Sequence, residues 1–356
     1  MKSAKNYTSS KAHQPTKYTI ASTLKAGLLC AASVIAASSA IAADTSYKIG
    51  YSSPFLTDPG QVVQVKFATE AAKKDAVTLL PPTNANGDPA KQISDIHNLI
   101  SAGAQAIVVG ATDSQAIIPA VNFANSKNIP VVATDIPPNG GKIFMIVRSD
   151  NLEMGANICK AIGESLKGKG TVLSLMGDQA NAAGRDRTVG FDECLAANYP
   201  DIKLIERPTY WKPDKATSIA QTIVTATPGL SAIYMQSDSI MYSGVISVLK
   251  SAGKLHKAGE EGHIFLASID GTPPALRAVR DGYVDIVVSQ PLDLYAQYSI
   301  HYAKAALDGK TFATGPTDHG SVITKDGENL RDVLPSTVVT SANANDPKLW
   351  GNGEGK

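Results

Sequence analysis

Several polar side chains follow short apolar runs in this sequence, where they could bind a ligand rich in hydroxyl groups. The set comprises Asp135, Arg187, Ser237, Asp238, Asp270 and Gln290, with Trp211 as a nearby aromatic residue. Ionised carboxylates and a guanidinium form charge-assisted hydrogen bonds with hydroxyls, each contributing about 1.5–3 kcal/mol net. A tryptophan ring can cover the C–H face of such a ligand. These residue types therefore indicate recognition of a polyhydroxylated molecule.

Some aspartates in these segments have a simpler interpretation as structural residues. Asp113 and Asp238 each directly precede a predicted helix, where the role of an N-cap or turn residue is favoured. Asp135 and Asp270 instead end apolar strands and precede turns that contain proline. We therefore keep Asp135 and Asp270 as ligand-binding candidates and interpret the other two as caps or turn residues.

The sequence contains no motif typical of a catalytic centre or a metal site. It lacks His-Glu-x-x-His, Cys-x-x-Cys and Gly-x-Ser-x-Gly, and its six histidines are scattered without ligand spacing. The residue pattern therefore favours a binding protein over an enzyme. We expect no bound cofactor and no metal.

Eight short apolar runs, rich in valine and isoleucine, alternate with segments of helical spacing. The predicted strands are 47–52, 106–109, 131–133, 143–147, 171–175, 232–235, 264–269 and 286–289. Helices are predicted at 151–166 and 185–198, and another begins at the signal Asp88-Pro89. Continuous apolar strands separated by helices indicate parallel sheets covered on both faces. The predicted fold class is α/β.

Two segments of the chain follow the same plan, which predicts two similar lobes. Residues 106–114 and 232–239 each run from a strand into Asp-Ser and a helix. A later strand then ends in an acid, Asp135 after the first segment and Asp270 after the second. Ligands of open parallel sheets bind beyond the carboxyl ends of the strands. Two facing lobes would therefore place both sets of polar residues in one cleft.

The first 42 residues have the pattern of a secretory signal peptide. They carry five lysines and no acidic residue, and an apolar, small-residue run ends in Ala40-Ile41-Ala42. We expect cleavage near Ala42, and the alternative of a membrane anchor is disfavoured because the run is short. The whole chain of 356 residues has a formal net charge of +1. Without its basic leader it is mildly acidic, which excludes nucleic-acid binding driven by bulk charge.

Two cysteines, Cys159 and Cys194, remain after the predicted leader, and both fall on predicted helices. In an oxidising compartment the two thiols are able to close one disulfide. Two separate buried thiols are the alternative. The sequence does not decide between them, because it does not reveal the distance between the two side chains.

Seven short motifs occur in an order and spacing that resembles one protein family. They are Ala111-Thr-Asp-Ser-Gln-Ala116, Asn128-Ile-Pro-Val-Val-Ala-Thr-Asp135, Arg148-Ser-Asp-Asn151, Gly184-Arg-Asp-Arg187, Gln236-Ser-Asp238, Ile269-Asp-Gly-Thr-Pro273 and Ser289-Gln-Pro291. From residue 47 to about residue 323 the chain resembles the ribose-binding-protein-like group of periplasmic sugar-binding proteins. That resemblance implies two Rossmann-like lobes with parallel sheets, joined by a hinge of three crossovers that closes on a sugar.

The same resemblance implies a division of the chain and a set of ligand contacts. The division is a signal peptide at 1–42, an N-terminal lobe of 43–149 plus 291–320, a C-terminal lobe of 150–290 plus 321–340, and a tail at 341–356. By motif, the polar contacts fall on Asp135, Arg187, Asp270 and Gln290, the stacking aromatic on Trp211, and a position usually held by Asn on Ser237.

The first lobe departs from the pattern of ribose binders. A gapless alignment puts Asp58, Gly60 and Gln61 at the turn where ribose binders carry paired aromatics, whereas a gapped alignment uses Pro54-Phe55. Ile136 stands where ribose binders have an arginine. Arg148 either restores that guanidinium at the ligand or forms a salt bridge at the hinge. We therefore expect another sugar, or a short polyol, rather than ribose itself.

The implied function is that of a periplasmic monomer that captures a sugar or polyol and delivers it to an ABC permease in the inner membrane. The main alternative is a receptor for a sugar-like signalling molecule that works with a chemotaxis system or a sensor kinase. A sugar-responsive repressor shares the fold but needs a DNA-binding helix pair where this chain has its leader. No nucleic-acid partner is therefore expected.

Overall fold

The computed structural model describes residues 46–353, which form two α/β lobes of similar design. The predicted signal peptide lies outside the described residues, as do the last three residues of the predicted tail. All eight strands that the apolar runs predict are present, and the α/β fold class is confirmed. In the part of the chain that is described, no helix is long and apolar enough to span a membrane.

The first lobe begins with six strands and three helices. In chain order these are β1 (Lys48–Ser53), α1 (Pro59–Lys74), β2 (Thr78–Leu79), β3 (Thr83–Asn84), α2 (Pro89–Ser101), β4 (Ala106–Val109), α3 (Ile118–Ser126), β5 (Val131–Thr134) and β6 (Met145–Arg148). Neighbouring strands among β1, β4, β5 and β6 pair in parallel. Every residue of β4, β5 and β6 is buried, as expected for apolar strands covered by helices on both faces.

The second lobe repeats this alternation with five strands and five helices. They are α4 (Asn151–Ser165), β7 (Gly170–Met176), α5 (Ala182–Asn198), β8 (Ile202–Pro208), α6 (Pro213–Ala226), β9 (Leu230–Met235), α7 (Asp238–Ser251), β10 (Phe265–Asp270), α8 (Pro273–Asp281) and β11 (Ile286–Ser289). These strands are parallel in the order β11-β10-β9-β7-β8. The order reverses beside β7, which is where open α/β sheets bind ligands.

After β11 the chain returns to the first lobe and then crosses once more to the second. The remaining elements are α9 (Leu292–Leu307), β12 (Gly315–Pro316), β13 (Val322–Asp326), β14 (Asn329–Val333), β15 (Thr337–Val339) and α10 (Trp350–Gly353). Strand β14 pairs in parallel with β6, and β13 pairs antiparallel with β14. Strand β15 pairs antiparallel with β11 in the second sheet. The chain therefore crosses between the lobes after β6, after β11 and after β14.

These pairings correct the predicted division of the C-terminal part of the chain. Residues 322–333 belong to the first sheet, so the third crossing lies between β14 and β15 rather than at residue 320. The strands of this hairpin are short and polar, so no apolar run marked them in the sequence. The predicted tail folds onto the second lobe, where Ala344 and Leu349 belong to the hydrophobic core.

Local capping signals decide where the helices of the first lobe begin. The side chain of Asp58 accepts a hydrogen bond from the Gly60 N–H at 2.9 Å at the start of α1. Asp88 accepts from the Ala90 and Lys91 N–H groups at the start of α2. Each cap is followed by proline at the first helical position, where its missing N–H costs nothing. As the N-cap, Asp58 places its carboxyl group at the N-terminus of α1.

A disulfide joins Cys159 on α4 to Cys194 on α5, with an S–S distance of 2.03 Å. The two cysteines are 35 residues apart in sequence, and both side chains are buried. Of the two alternatives that the sequence left open, the structure therefore has the disulfide. The bond ties together two adjacent helices of the second lobe, of which α5 carries Arg187.

Candidate ligand-binding site

A cavity lies between the two lobes, at the carboxyl ends of their central strands. It is lined by Phe55, Asp58, Gly60, Gln61, Gln64, Asp135, Ile136, Ala183, Arg187, Trp211, Ser237, Ser239, Ile240, Asp270, Gln290 and Leu292. The lining combines ionisable and amide side chains with two aromatic rings. Such a surface can hydrogen-bond a small polar molecule while covering its apolar face.

Eight of the nine residues proposed from the sequence as ligand contacts line this cavity. The exception is Arg148, which lies outside it and is almost completely buried. Its Nη1 donates to Asp186 Oδ2 at 2.9 Å, which forms a salt bridge between β6 of the first lobe and α5 of the second. Of the two alternatives for Arg148, the structure has the salt bridge at the hinge, and Arg148 does not line the cavity.

In the second-lobe wall, Asp270 is surrounded by hydrogen-bond donors. Gln290 Nε2 donates to its Oδ1 at 2.6 Å, and Ser237 Oγ donates to its Oδ2 at 2.6 Å. Ser239 approaches the same Oδ2 with its hydroxyl at 2.9 Å and its backbone N–H at 3.3 Å. The guanidinium of Arg187 lies 3.6 Å from Oδ1. This carboxylate is therefore fixed by the protein itself.

Arg187 is fixed in turn by three acceptors. Its Nε donates to Asn151 Oδ1 at 2.7 Å, its Nη2 to Gln290 Oε1 at 3.1 Å, and its Nη1 to the backbone carbonyl of Gln236. The side chain is 3% exposed. A buried guanidinium with this many partners has one orientation, so it can stabilise Asp270 without moving when a ligand enters.

The first-lobe wall is built differently, from one turn of α1 and the residue that follows β5. Gln61 Nε2 and Gln64 Nε2 both donate to Asp135 Oδ2, at 3.0 and 3.2 Å. Because these glutamines are three residues apart in a helix, their side chains project from the same face. Gln64 Oε1 and Asp135 Oδ1 are buried and accept no hydrogen bond from any described residue.

The two lobes touch across the cavity through hydrogen-bonded side chains. Ser239 Oγ lies 2.7 Å from Asp58 Oδ1, so α7 of the second lobe meets the cap of α1 in the first. On another side of the interface, the Ala182 N–H donates to Ser114 Oγ at 3.0 Å. Together with the hinge salt bridge, these contacts define a closed arrangement of the lobes.

The buried carboxyl of Asp58 is the titratable group of the cavity with the clearest electrostatic perturbation. Burial raises its pKa to about 7, and the negative charge of Asp270 contributes in the same direction. The hydrogen bonds from Ser239 and Gly60 oppose this rise. Burial also raises the pKa of Asp270, which Arg187 opposes. Three carboxyl groups crowd a site with little water, so ionising all of them is costly.

Trp211 forms an aromatic side of the cavity, and its ring packs closely against the backbone of Gly177. Its ring lies against Gly177, where an added Cβ would be 2.0 Å from ring atoms, so only glycine fits there. The guanidinium of Arg187 lies 5.9 Å from the ring centroid. Trp211 has a positive φ of 55°. A non-glycine residue in this region of backbone space is uncommon and is often found at functional sites.

Asp238 illustrates a structural aspartate whose partner the sequence did not reveal. It does not cap its own helix α7. Its carboxylate instead accepts from the Gly271 and Thr272 N–H groups, both at 3.0 Å, and from the hydroxyl of Ser268. The interpretation of Asp238 as a turn residue agrees with this geometry, although the turn is the one that follows Asp270. The carboxylate of Asp113 accepts hydrogen bonds from the backbone N–H groups of Gln115 and Ala116, which stabilises the turn in which Asp113 lies.

Two polar cavity residues, Gln64 and Ser239, were not predicted from the sequence. The signal for Gln64 was present, because its spacing of three from Gln61 places both glutamines on one helical face. Ser239 follows the motif Gln236-Ser-Asp238 but carries no signal of its own. Among residues 46–353, no group of three or more His, Cys, Asp or Glu side chains is placed to hold a metal ion.

Comparison with known proteins places this geometry in one family. Residues 49–311 match the model of the periplasmic binding protein domain. The chain is 30% identical to a ribose import binding protein of Escherichia coli over 257 residues, which cover 70% of this chain and 82% of that protein. It is 29% identical to a xylitol-binding protein of Mycolicibacterium smegmatis over 259 residues, 72% of this chain and 71% of that protein.

A solved structure agrees with these sequence matches. A solute-binding protein of an ABC transporter from Mycobacterium smegmatis, with bound glycerol, superposes with a TM-score of 0.73 at 25% identity. The superposition covers 84% of this chain and 96% of that one. The chain therefore belongs to the family of periplasmic binding proteins, in the group that resembles the ribose-binding proteins.

Proposed function

We propose that this protein captures a small sugar or polyol in the cavity between its lobes and delivers it to an ABC permease of the inner membrane. One observation carries the proposal. The buried cavity combines charged and amide side chains from both lobes with the rings of Phe55 and Trp211. Relatives named for ribose and xylitol binding support the same class of ligand.

Ligand fit is the condition for closure in this mechanism. In an open cleft, water hydrates Asp135, Asp270 and Arg187. Closure removes that water, and buried charges are tolerated only when each is paired and hydrogen-bonded. A ligand whose hydroxyls replace the water therefore favours the closed state, and the closed shape is what a permease can recognise. The protein changes no covalent bond of its ligand, acts as an exported monomer, and resides in the periplasm.

The proposal is tested by exporting the full chain with its own leader and measuring the melting temperature of the recovered protein. The panel consists of D-ribose, xylitol, D-apiose, myo-inositol and glycerol, each at millimolar concentration. A ligand that binds the folded state must raise the melting temperature, and a concentration of about 100 times Kd adds about 2.7 kcal/mol. A rise with one member, without turnover of that compound, is the expected result.

A matched pair of variants distinguishes the cavity from the rest of the surface. Asp270→Asn changes a carboxylate in the cavity, whereas Asp113→Asn changes an aspartate that accepts hydrogen bonds within a turn outside the cavity. The first variant should lose the ligand-induced rise, and the second should keep it. A panel in which no compound raises the melting temperature, or in which a compound is consumed, would contradict the proposed function.

A further inference from the structure

The chemical character of the ligand can be narrowed from the hydrogen bonds of the cavity, on the assumption that the proposed function is correct. Each amide nitrogen of the cavity donates one hydrogen bond within the protein. Gln61 and Gln64 donate to Asp135, and Gln290 donates to Asp270. Arg187 donates from each of its three nitrogens to acceptors of the second lobe. Each amide keeps a second N–H, and Trp211 Nε1 is buried without a hydrogen-bond partner among the described residues, so the donors of the cavity are only partly used.

Acceptors, in contrast, remain free in the first-lobe wall. Gln64 Oε1 and Asp135 Oδ1 are buried, and neither has a hydrogen-bond partner among the described residues. The two side chains are 1% and 5% exposed, and both line the cavity. A buried acceptor without a partner is unfavourable, so the closed state gains most from a ligand that brings donors to this wall.

The charges around the cavity also favour a ligand that brings hydrogen-bond donors and no negative charge. Asp58, Asp135 and Asp270 line it, and Arg187 is the one Lys or Arg side chain among its described lining residues. Arg187 lies 3.6 Å from Asp270, which already compensates its charge. Asp58 and Asp135 have no cation of this kind in the lining. A ligand carrying a carboxylate or phosphate would bring another negative charge into a poorly hydrated site.

We propose that the first-lobe wall is an acceptor subsite, formed by Gln64 Oε1 and the carboxylates of Asp135 and Asp58, that takes a hydroxyl or ammonium group of the ligand. The ligand class is then polyols and sugars that are uncharged or carry an amino group. An ammonium group satisfies both free acceptors and compensates one carboxylate. Sugar acids and sugar phosphates are disfavoured because their negative charge would join three aspartates in a lining whose one Lys or Arg side chain among the described residues is Arg187.

The test compares matched compounds on three carbon frames, namely xylitol, ribitol and D-ribose. For each frame the neutral compound, its amino-deoxy derivative and its aldonic acid are titrated by calorimetry at pH 7.0. On the frame that binds, the amino derivative should bind at least as tightly as the neutral parent, and the acid at least about 100-fold more weakly. An acid that binds within tenfold of the parent overturns the inference and leaves the proposed function intact. An amino derivative that binds more than tenfold more weakly than its neutral parent also overturns the inference and leaves the proposed function intact.

If no compound of any frame binds, both the proposed function and the inference fail. Asp135→Asn provides the internal check, because it removes a negative charge and keeps the side-chain volume. The ratio of the Kd of the neutral compound to that of its amino derivative should fall at least fivefold in this variant. It should stay unchanged in Asp113→Asn, and an unchanged ratio in Asp135→Asn overturns the subsite. If Asp135→Asn does not fold, Asp58→Asn reports on the same cluster of charges.

Discussion

Two aspartates, Asp135 in the first lobe and Asp270 in the second, occupy corresponding positions in the repeated plan but have different surroundings. Both stand at the carboxyl end of a buried strand, both have positive φ (61° and 123°), and both line the cavity. Asp270 is held by Gln290, by two serines and by an arginine. Asp135 is held by two glutamines on one oxygen, while its other oxygen has no partner among the described residues.

This difference assigns different tasks to the two walls of the cavity. The second-lobe wall is organised before a ligand arrives, so it provides a rigid base at low entropic cost. The first-lobe wall has acceptors that become satisfied when a ligand binds. Damage to the second wall should therefore abolish binding of every ligand, whereas damage to the first should change selectivity more than affinity.

The largest expected effect comes from breaking the Arg187–Asp270 pair. Arg187→Ala or Asp270→Ala should weaken binding of any ligand by more than about 100-fold, because removing one partner leaves the other charge buried and uncompensated. Asp135→Ala should cost less, roughly 10- to 30-fold, in line with the loss of hydrogen bonds to one charged group. Calorimetry gives the three values of Kd, and circular dichroism verifies folding. Equal losses at Asp135 and Asp270 would show that the two walls do not differ.

A smaller effect is expected from pH, through Asp58. Its pKa is raised to about 7 in the closed state, whereas a hydrated aspartate titrates near about 4. Closure therefore takes up a proton, and affinity for an uncharged polyol should fall as the pH rises from 4 and level off above about 7. Between pH 6 and 8 the expected loss is roughly tenfold. Burial also raises the pKa of Asp270, which acts in the same direction.

The variant Asp58→Asn checks this assignment. Asparagine keeps an oxygen that can accept from the Gly60 N–H and from Ser239 but does not titrate, so the dependence of Kd on pH should become shallower. Asp113→Asn, which lies outside the cavity, should retain the original slope. Affinity that increases between pH 5 and 8 would have the wrong sign for a carboxyl that is protonated on closure.

A still smaller effect on ligand affinity is expected from a change in the C-terminal tail, which contacts the backbone of Asp270 in the second-lobe wall. The Trp350 indole N–H donates to the backbone carbonyl of Asp270 at 2.9 Å. Trp350→Phe removes this bond while keeping most of the ring, and should weaken ligand binding roughly twofold to tenfold, as expected for a neutral hydrogen bond. Leu349→Ala is the control, because it removes a neighbouring buried side chain of the tail. It should lower the melting temperature without changing Kd.

The smallest expected effect on binding comes from the disulfide between Cys159 and Cys194. Replacing both cysteines with alanine should lower the free energy of unfolding by about 2–4 kcal/mol, because the unfolded chain regains the entropy of an open loop. Kd should change by less than twofold, since the fixed orientation of Arg187 depends on Asn151, Gln236 and Gln290. Denaturant unfolding and calorimetry measure the two quantities separately. A large loss of affinity would show that the disulfide positions the second wall.

Much of the fold was predictable because it depends on local patterns. Apolar runs of three to six residues separated by helical segments indicate parallel sheets, and all eight predicted strands are present. The hairpin β13–β14 escaped notice because its strands are polar and acquire their place only by pairing with β6. The disulfide was equally undecidable, since it depends on how α4 packs beside α5.

By itself, the sequence determined the α/β class, the repeated plan and the strand ends where the acids of the cavity stand. Those properties follow from hydrophobic periodicity, which acts between neighbours along the chain. Only the tertiary structure decided that Arg148 turns to the hinge, that Ser239 bridges to Asp58, and that Asp270 is saturated while Asp135 is not. These outcomes depend on distances between side chains far apart in the chain, which are set when the two lobes pack against each other.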